Sequence, residues 1–522
     1  MHLLIAPWIV FAAGILASAC LHASELVISK NPSSAEQRLV EAIDNPEYML
    51  THWIELPLAS DDVGKNIQRL SLDDAILIAL RYNPNIQNKA LDRIIQRYRL
   101  RLAENQFELQ YALSASANAN NDRYEGVGSQ KTYSALASPE IDWQSKLGGK
   151  VSLKMDNTGN TYDNYHPTLN FSFTQPLLRG FGKINEASLL DARDQEYLNK
   201  LNLNQSVADQ ITAVISNYRS LILSGNNLIT QKRQLEEAKK QYEINEKKIR
   251  AGQLERTANI QQSYQVESLR LAVEQAINQF ENASQTLLQN LGLNPLVRIS
   301  VPDDVSIHPI ETPELQGTID YALAHNVAYQ AQKLVVKADE RAYEVAKNQQ
   351  LWKLDLSANV QTGTVTNVDQ IGRGIKGIYD GRNVSESARI NLTIPLGDVS
   401  LKSKLINAKV KLEQDRTQLL ASKRALISQV TTLINNIKSQ AKRYQLAEKQ
   451  VKLARQAYQL QIKRQSAGIA TSLDVNNTQN QLINAQNSLI NAKINYLNQL
   501  SELDKVLGTT LQTWHINLRY GQ

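Results

Sequence analysis

Two stretches decide the fold: Ala251–Gly292, AGQLERTANIQQSYQVESLRLAVEQAINQFENASQTLLQNLG, and Ala467–Gly508, AGIATSLDVNNTQNQLINAQNSLINAKINYLNQLSELDKVLG. They align without a gap at an offset of 216 residues, so Ala251-Gly252 falls on Ala467-Gly468 and Leu291-Gly292 on Leu507-Gly508. Between those ends Val266, Val273, Phe280 and Leu287 land on Leu482, Leu489, Tyr496 and Leu503, an apolar residue at every seventh position. That period is the seam of a coiled coil. Each Gly disfavours helix by about 1 kcal/mol relative to Ala. Gly252 and Gly468 are therefore expected at the tips of two long helical hairpins, and a duplication of this length makes the chain a two-repeat fold.

The arms leading to those tips are long. From about residue 185 to 250, and again from about 401 to 465, there is no Pro, and only Gly225 interrupts. Such runs extend to about 100 Å as helix. Upstream, Ser71 is an expected N-cap with Asp73 and Asp74 in the first turn. Asn83-Pro84 breaks that helix, and a second helical pattern runs to Asn105.

At Glu108 the apolar period changes from about 3.6 to 2. Leu109, Tyr111, Leu113, Ala115, Ala117 and Ala119 alternate with polar residues. The same alternation marks Leu169–Phe173, Leu354–Val360 and Ala388–Ile394, so four strands are expected at 108–120, 167–175, 353–361 and 387–395, two per repeat. A shorter alternation, Val151, Leu153 and Met155, sits in the long connection 121–166. Pro176 and Pro395 end the strand pairs, since Pro has no N–H to continue a ladder.

Strands of this length and two-faced pattern suit an outer-membrane barrel. Four cannot close one, and an open edge is not tolerated in lipid. Several copies must pool their strands. The competing architecture is a soluble β-sandwich on coiled coils, whose core would need larger side chains than Ala115, Ala117 and Ala119 supply.

Over 522 residues the net charge is +6, spread as mixed signs along helices, which argues against a nucleic-acid surface. The histidines, His2, His22, His52, His166, His308, His325 and His515, never pair at ligand spacing, and no phosphate loop or nucleophile motif appears. An enzyme, a metal site and a cofactor are not expected. Met1–Ser24 carries no acidic or basic side chain and an apolar run from Leu3 to Leu21; Ala17-Ser18-Ala19 fits signal-peptide cleavage. Cys20, the single cysteine, follows directly. It is either the acylated first residue of a lipoprotein or part of a discarded signal. The expected organisation is a signal at 1–24, an irregular extension at 25–70, repeat 1 at 71–292, a linker at 293–318, repeat 2 at 319–508 and a tail at 509–522.

The two-fold repeat, the AG turns followed forty residues later by LG, FTQPLLRGFG at 173–182 and LTIPLG at 392–397 together resemble the TolC-like outer-membrane efflux proteins over nearly all of 71–508. The resemblance implies an α+β membrane protein: a homotrimer with a twelve-stranded outer-membrane β-barrel continued by a twelve-helix coiled-coil tunnel through the periplasm of a Gram-negative cell. The implied partners are a periplasmic adaptor (membrane fusion) protein and an inner-membrane transporter of the RND, ABC or MFS type, acting in efflux or type I secretion. Gly252 and Gly468 would be the adaptor-docking tips, and Asp474 and Asn477 would line the periplasmic gate. In the family's best-known member an Asp and an Arg latch that gate; Ala258 and Ala470 stand in their places here. The alternative reading of Asp474 is a helix-start residue favoured by the dipole, with Ser472 capping. Two other classes compete with a channel: a periplasmic adaptor, which carries one hairpin rather than two, and a surface lipoprotein scaffold without a pore.

Overall fold

The computed structural model describes residues 34–45, 48, 70–124, 128–160, 165–253, 255, 257–302, 312–363, 377–378, 383–467 and 469–518. The expected signal at 1–24 with Cys20, most of the extension at 25–70, the linker residues 303–311, Gly468 and the end of the tail at 519–522 lie outside the described residues. One helix of the extension is described, α1 (Ser34–Asp44), where Leu39, Ala42 and Ile43 bury against Ala90 and Ile94.

Long helices set the length of the molecule. α4 (Ala187–Arg250) has 64 residues and α8 (Val399–Ser466) has 68, about 96 and 102 Å at 1.5 Å per residue. Each folds back on a shorter partner, α5 (Ala258–Leu291) and α9 (Ser472–Leu507). The expected seam closes the hairpins: Val266 and Val273 bury against Leu235 and Ala238, and Tyr496 and Leu503 against Ile437 and Ala441. Gly225 does not break α4. A Cβ there would sit 3.4 Å from the Phe280 ring, an ordinary contact, so the space would also admit alanine.

The two hairpins share corresponding backbone hydrogen bonds. At the tips Gln253 N–H donates to Lys248 O (2.8 Å) and Ile469 N–H to Arg464 O (2.9 Å). At the far ends Leu293 N–H donates to Leu288 O (2.9 Å) and Thr509 N–H to Asp504 O (2.8 Å), around left-handed Gly292 and Gly508, both at φ 73°. Each of these pairs keeps the 216-residue offset.

Mid-way along the long helices lies the main core. α2 (Leu72–Tyr82) and α3 (Pro84–Asn105) pack on α4, and α6 (Leu315–His325) and α7 (Val327–Asn348) pack on α8. Ala75, Ala79, Leu221, Leu287 and Leu291 are buried together on one side, and Ala322, Val430, Ile434 and Val506 on the other. Leu511, Trp514, Ile516 and Leu518 of the tail cover Ile211 and Ile215. Ser71 caps α2 as expected, its Oγ accepting from Asp74 N–H at 3.1 Å.

The strand number corrects the expectation of four. The described residues hold six: β1 (Gln110–Tyr124), β2 (Gly128–Gln144), β3 (Lys150–Asn160), β4 (Tyr165–Pro176), β5 (Lys353–Gly363) and β6 (Val384–Thr393). They form one antiparallel sheet in chain order. The connection 121–166 is therefore largely a hairpin, β2–β3. Pro139 concealed β2, since Pro is normally excluded from inner strands. One face of the sheet is mainly apolar, interrupted by Asn157 and Glu386, and on it Tyr111, Leu113 and Ile390 expose 71%, 76% and 68% of their surface in the single chain. No helix among the described residues is long and apolar enough to cross a membrane.

Candidate channel gate and tunnel wall

α9 starts in the segment that follows the second tip. Its N-cap is Thr471, which corrects the expectation of Ser472. Thr471 Oγ1 accepts from Asp474 N–H (3.2 Å), and Asp474 Oδ2 accepts from Thr471 N–H (2.9 Å) and from its hydroxyl (2.7 Å). This reciprocal box satisfies two backbone donors that the helix start would otherwise leave open. Those hydrogen bonds hold the Asp474 carboxyl below the usual carboxylate range. It stays ionised near neutrality. Asn477 is one turn further along the same helix, and both side chains are exposed in the single chain.

At the first tip Gly252 takes φ 70°, and a Cβ there would meet nothing within 4 Å. Its constraint is backbone conformation, not space. The α4 end is basic, with Lys247, Lys248 and Arg250 in the last turn, and the α8 end carries Lys463 and Arg464. Around these charges Ile469, Ile260 and Tyr264 stand exposed by 75%, 69% and 73%. Basic charge and unburied apolar surface thus share the tip region.

Further up, Arg219 ties the two hairpins together. It is buried, and its Nη1 donates to Asn498 Oδ1 and Ser501 Oγ, each at 3.0 Å. Burial pushes its guanidinium down to about 10, still charged at neutral pH. Sequence reasoning missed this residue. The signal was present: Ile211, Ile215 and Arg219 share one stripe at i, i+4, and an arginine on a buried stripe requires partners.

Asn83 and Asn326 were also missed as a pair. Asn83 Oδ1 caps α3 while its Nδ2 donates to Asn290 O at 2.6 Å; Asn326 Oδ1 caps α7 while its Nδ2 donates to Val506 O at 3.0 Å. Each asparagine joins the start of α3 or α7 to the end of a hairpin, and the two accepting carbonyls again stand 216 residues apart.

Near the sheet, α7 meets α4 and α8 through charges. Arg341 bridges Asp191 and Asp194, both at 2.6 Å, and Arg416 reaches Glu340 at 3.0 Å. Between them Asp339 faces Asp415, whose Oδ2 lies 2.7 Å from Lys411 Nζ. Burial first, and then the hydrogen bond and charge of Asp415, push the Asp339 carboxyl up to about 6. Arg93 and Glu196 form a further buried ion pair between α3 and α4.

A groove of about 340 Å³ between the hairpins is lined by Ser220, Ser224, Asn227, Gln279, Asn487 and Asn491 and holds no titratable group. Among the described residues no cluster of His, Cys, Asp or Glu could hold a metal ion.

Residues 318–509 match the family model of outer membrane efflux proteins. No curated protein matches the sequence. Among solved structures, the CmeC outer membrane channel of Campylobacter jejuni superposes with a TM-score of 0.64 at 14% identity, covering 94% of this chain and 95% of that one. VceC of Vibrio cholerae gives 0.61 at 17% identity over 84% of this chain and 96% of that one. MtrE of Neisseria gonorrhoeae, solved in an open state, gives 0.61 at 16% identity over 84% and 89%. The family and these neighbours are channels rather than enzymes. Residues 318–509 thus resemble the outer membrane efflux proteins, and the chain that carries them has the fold of the TolC-like channels.

Proposed function

We propose that the protein is an outer-membrane channel-tunnel of a Gram-negative bacterium. It passively conducts cargo delivered by a periplasmic adaptor and an inner-membrane transporter, in efflux or type I secretion. One observation carries this reading: a sheet with a mainly apolar face and two open edges, β1 and β6, is joined to helical hairpins whose long arms reach about 100 Å. Open edges leave backbone groups unpaired, which lipid does not tolerate. Three copies closing edge to edge remove them and set the hairpins side by side as a tunnel. The family match over 318–509 supports the efflux role.

Within this reading Asp474 of each copy converges at the closed periplasmic end, where three carboxylates make an acidic ring with neutral Asn477 behind it. The tips at Gly252 and Gly468 contact the adaptor. The latch pair of the family's best-known member is replaced here by Ala258 and Ala470.

The test is the mass and conductance of the full protein extracted in detergent. Three copies per particle and discrete bilayer current steps are expected. A stable monomer that conducts nothing would leave the lipoprotein scaffold as the surviving reading.

A further inference from the structure

The hairpin β2–β3 is built as barrel wall, although nothing in the four-strand pattern of the sequence called for it. It lies inside the sheet, hydrogen-bonded to β1 on one side and β4 on the other. Its side chains continue the alternation of its neighbours. Gln110, Asp142, Ser152, Ser172, Asn359 and Ser387 make one polar row across all six strands, and Tyr111, Ile141, Leu153, Phe171 and Val360 make an adjoining apolar row over β1 to β5 that ends at Glu386 on β6. A flap on the cell surface would have no reason to keep a lipid-type face in register with the membrane strands.

The near end of the hairpin is fastened at the junction of sheet and helices. Its turn pairs Ser145 N–H with Gly149 O at 2.7 Å. Leu147 O accepts from Gly182 N–H at 3.2 Å, in the connection from β4 to α4. Gly148 takes φ 95°, and a Cβ there would lie 2.4 Å from Gly180 O, so the turn is packed flush against that connection. Trp143 Nε1 donates to Phe107 O at 3.1 Å, just before β1. On the polar face Asp156 accepts from Ser138 Oγ (2.6 Å) and pairs with Lys154 (3.0 Å), charges suited to water on that side.

We propose that three copies close an eighteen-stranded barrel, in which β2 and β3 of each copy are transmembrane wall and β6 of one copy pairs with β1 of the next. Six is even, so those edges meet antiparallel, as every other pair in the sheet does. With strands about 4.8 Å apart and tilted about 40°, eighteen strands give a barrel about 36 Å across between backbones, against about 24 Å for twelve. This rests on the trimeric channel reading.

Two measurements test it. Imaging of the wild-type particle should show three-fold symmetry with eighteen strands. Three-fold particles with twelve strands would overturn this inference alone, and particles without three-fold symmetry would overturn the trimer and the closure with it. In membranes, Ser152→Cys should react with a water-soluble maleimide about tenfold or more faster than Leu153→Cys, because a thiol facing lipid neither ionises nor meets the reagent. Equal rates in trimeric protein would make the hairpin a water-exposed flap.

Discussion

Gly292 and Gly508 occupy equivalent places in the two repeats, share φ 73°, and should respond very differently to alanine. Either substitution forces a side chain into the left-handed region, at about 1–2 kcal/mol. For Gly508 that is nearly the whole cost, since the nearest atom to the new Cβ is His325 O at 3.9 Å. At Gly292 the Cβ would lie 2.0 Å from Tyr82 O and 2.6 Å from Tyr82 C, where ordinary contact begins at 3.4 Å. A shift of about 1.4 Å is needed, and Tyr82 is held by its neighbour Asn83, bonded to Asn290 O at 2.6 Å. Overpacking of this kind adds about 1–3 kcal/mol. The total for Gly292→Ala is about 2–5 kcal/mol, against about 1–2 for Gly508→Ala. Urea unfolding of the detergent-solubilised protein, followed by far-UV circular dichroism, measures both. Equal losses would refute the argument that the Gly292 contact, rather than the shared cap conformation, sets the cost.

Arg219→Ala strands Asn498 and Ser501 in a buried seam and should cost about 2–4 kcal/mol in the same assay. Arg219→Met should cost less than half of that, because burial already penalises the charge. Asp339, raised to about 6, binds its proton more tightly in the folded protein than unfolded, so its contribution to stability is full below about 3.8 and is lost as pH rises through about 6. Relative to wild type, Asp339→Asn should therefore gain stability between pH 4 and pH 7, and a difference that is flat with pH would contradict it. Gly252→Trp meets open space at the tip, so trimer yield should be unchanged while export falls; export at the wild-type level would remove this tip from the docking surface.

How much of this was legible in the sequence depended on the range of the signal. Gly292, Gly508 and the heptad seams are local features, and their 216-residue offset carried straight into hydrogen bonds. Strand faces were legible for the same reason, since a period of two is read over a few residues. Pro139 broke that reading for β2, although Tyr133, Ala135, Ala137 and Ile141 kept the alternation. Asn83 and Asn326 could not be paired in advance, because each carbonyl they bind lies far along the chain, 207 and 180 residues away. Thr471 and Ser472 are adjacent hydroxyls, and only backbone geometry shows which one caps. At Asp474 the two competing roles prove compatible: its carboxylate closes the capping box and remains exposed and ionised at the helix start.

The reversal potential of the wild-type channel in a salt gradient across a planar bilayer reports on the charge at its narrowest point. Three Asp474 carboxylates at one constriction favour cations and attract divalent blockers. Cation preference and divalent block are expected in wild type, with most of both lost in Asp474→Asn, whose side chain can still accept one hydrogen bond from Thr471. Identical selectivity and block in the two proteins would place Asp474 away from the conducting path and contradict the gate.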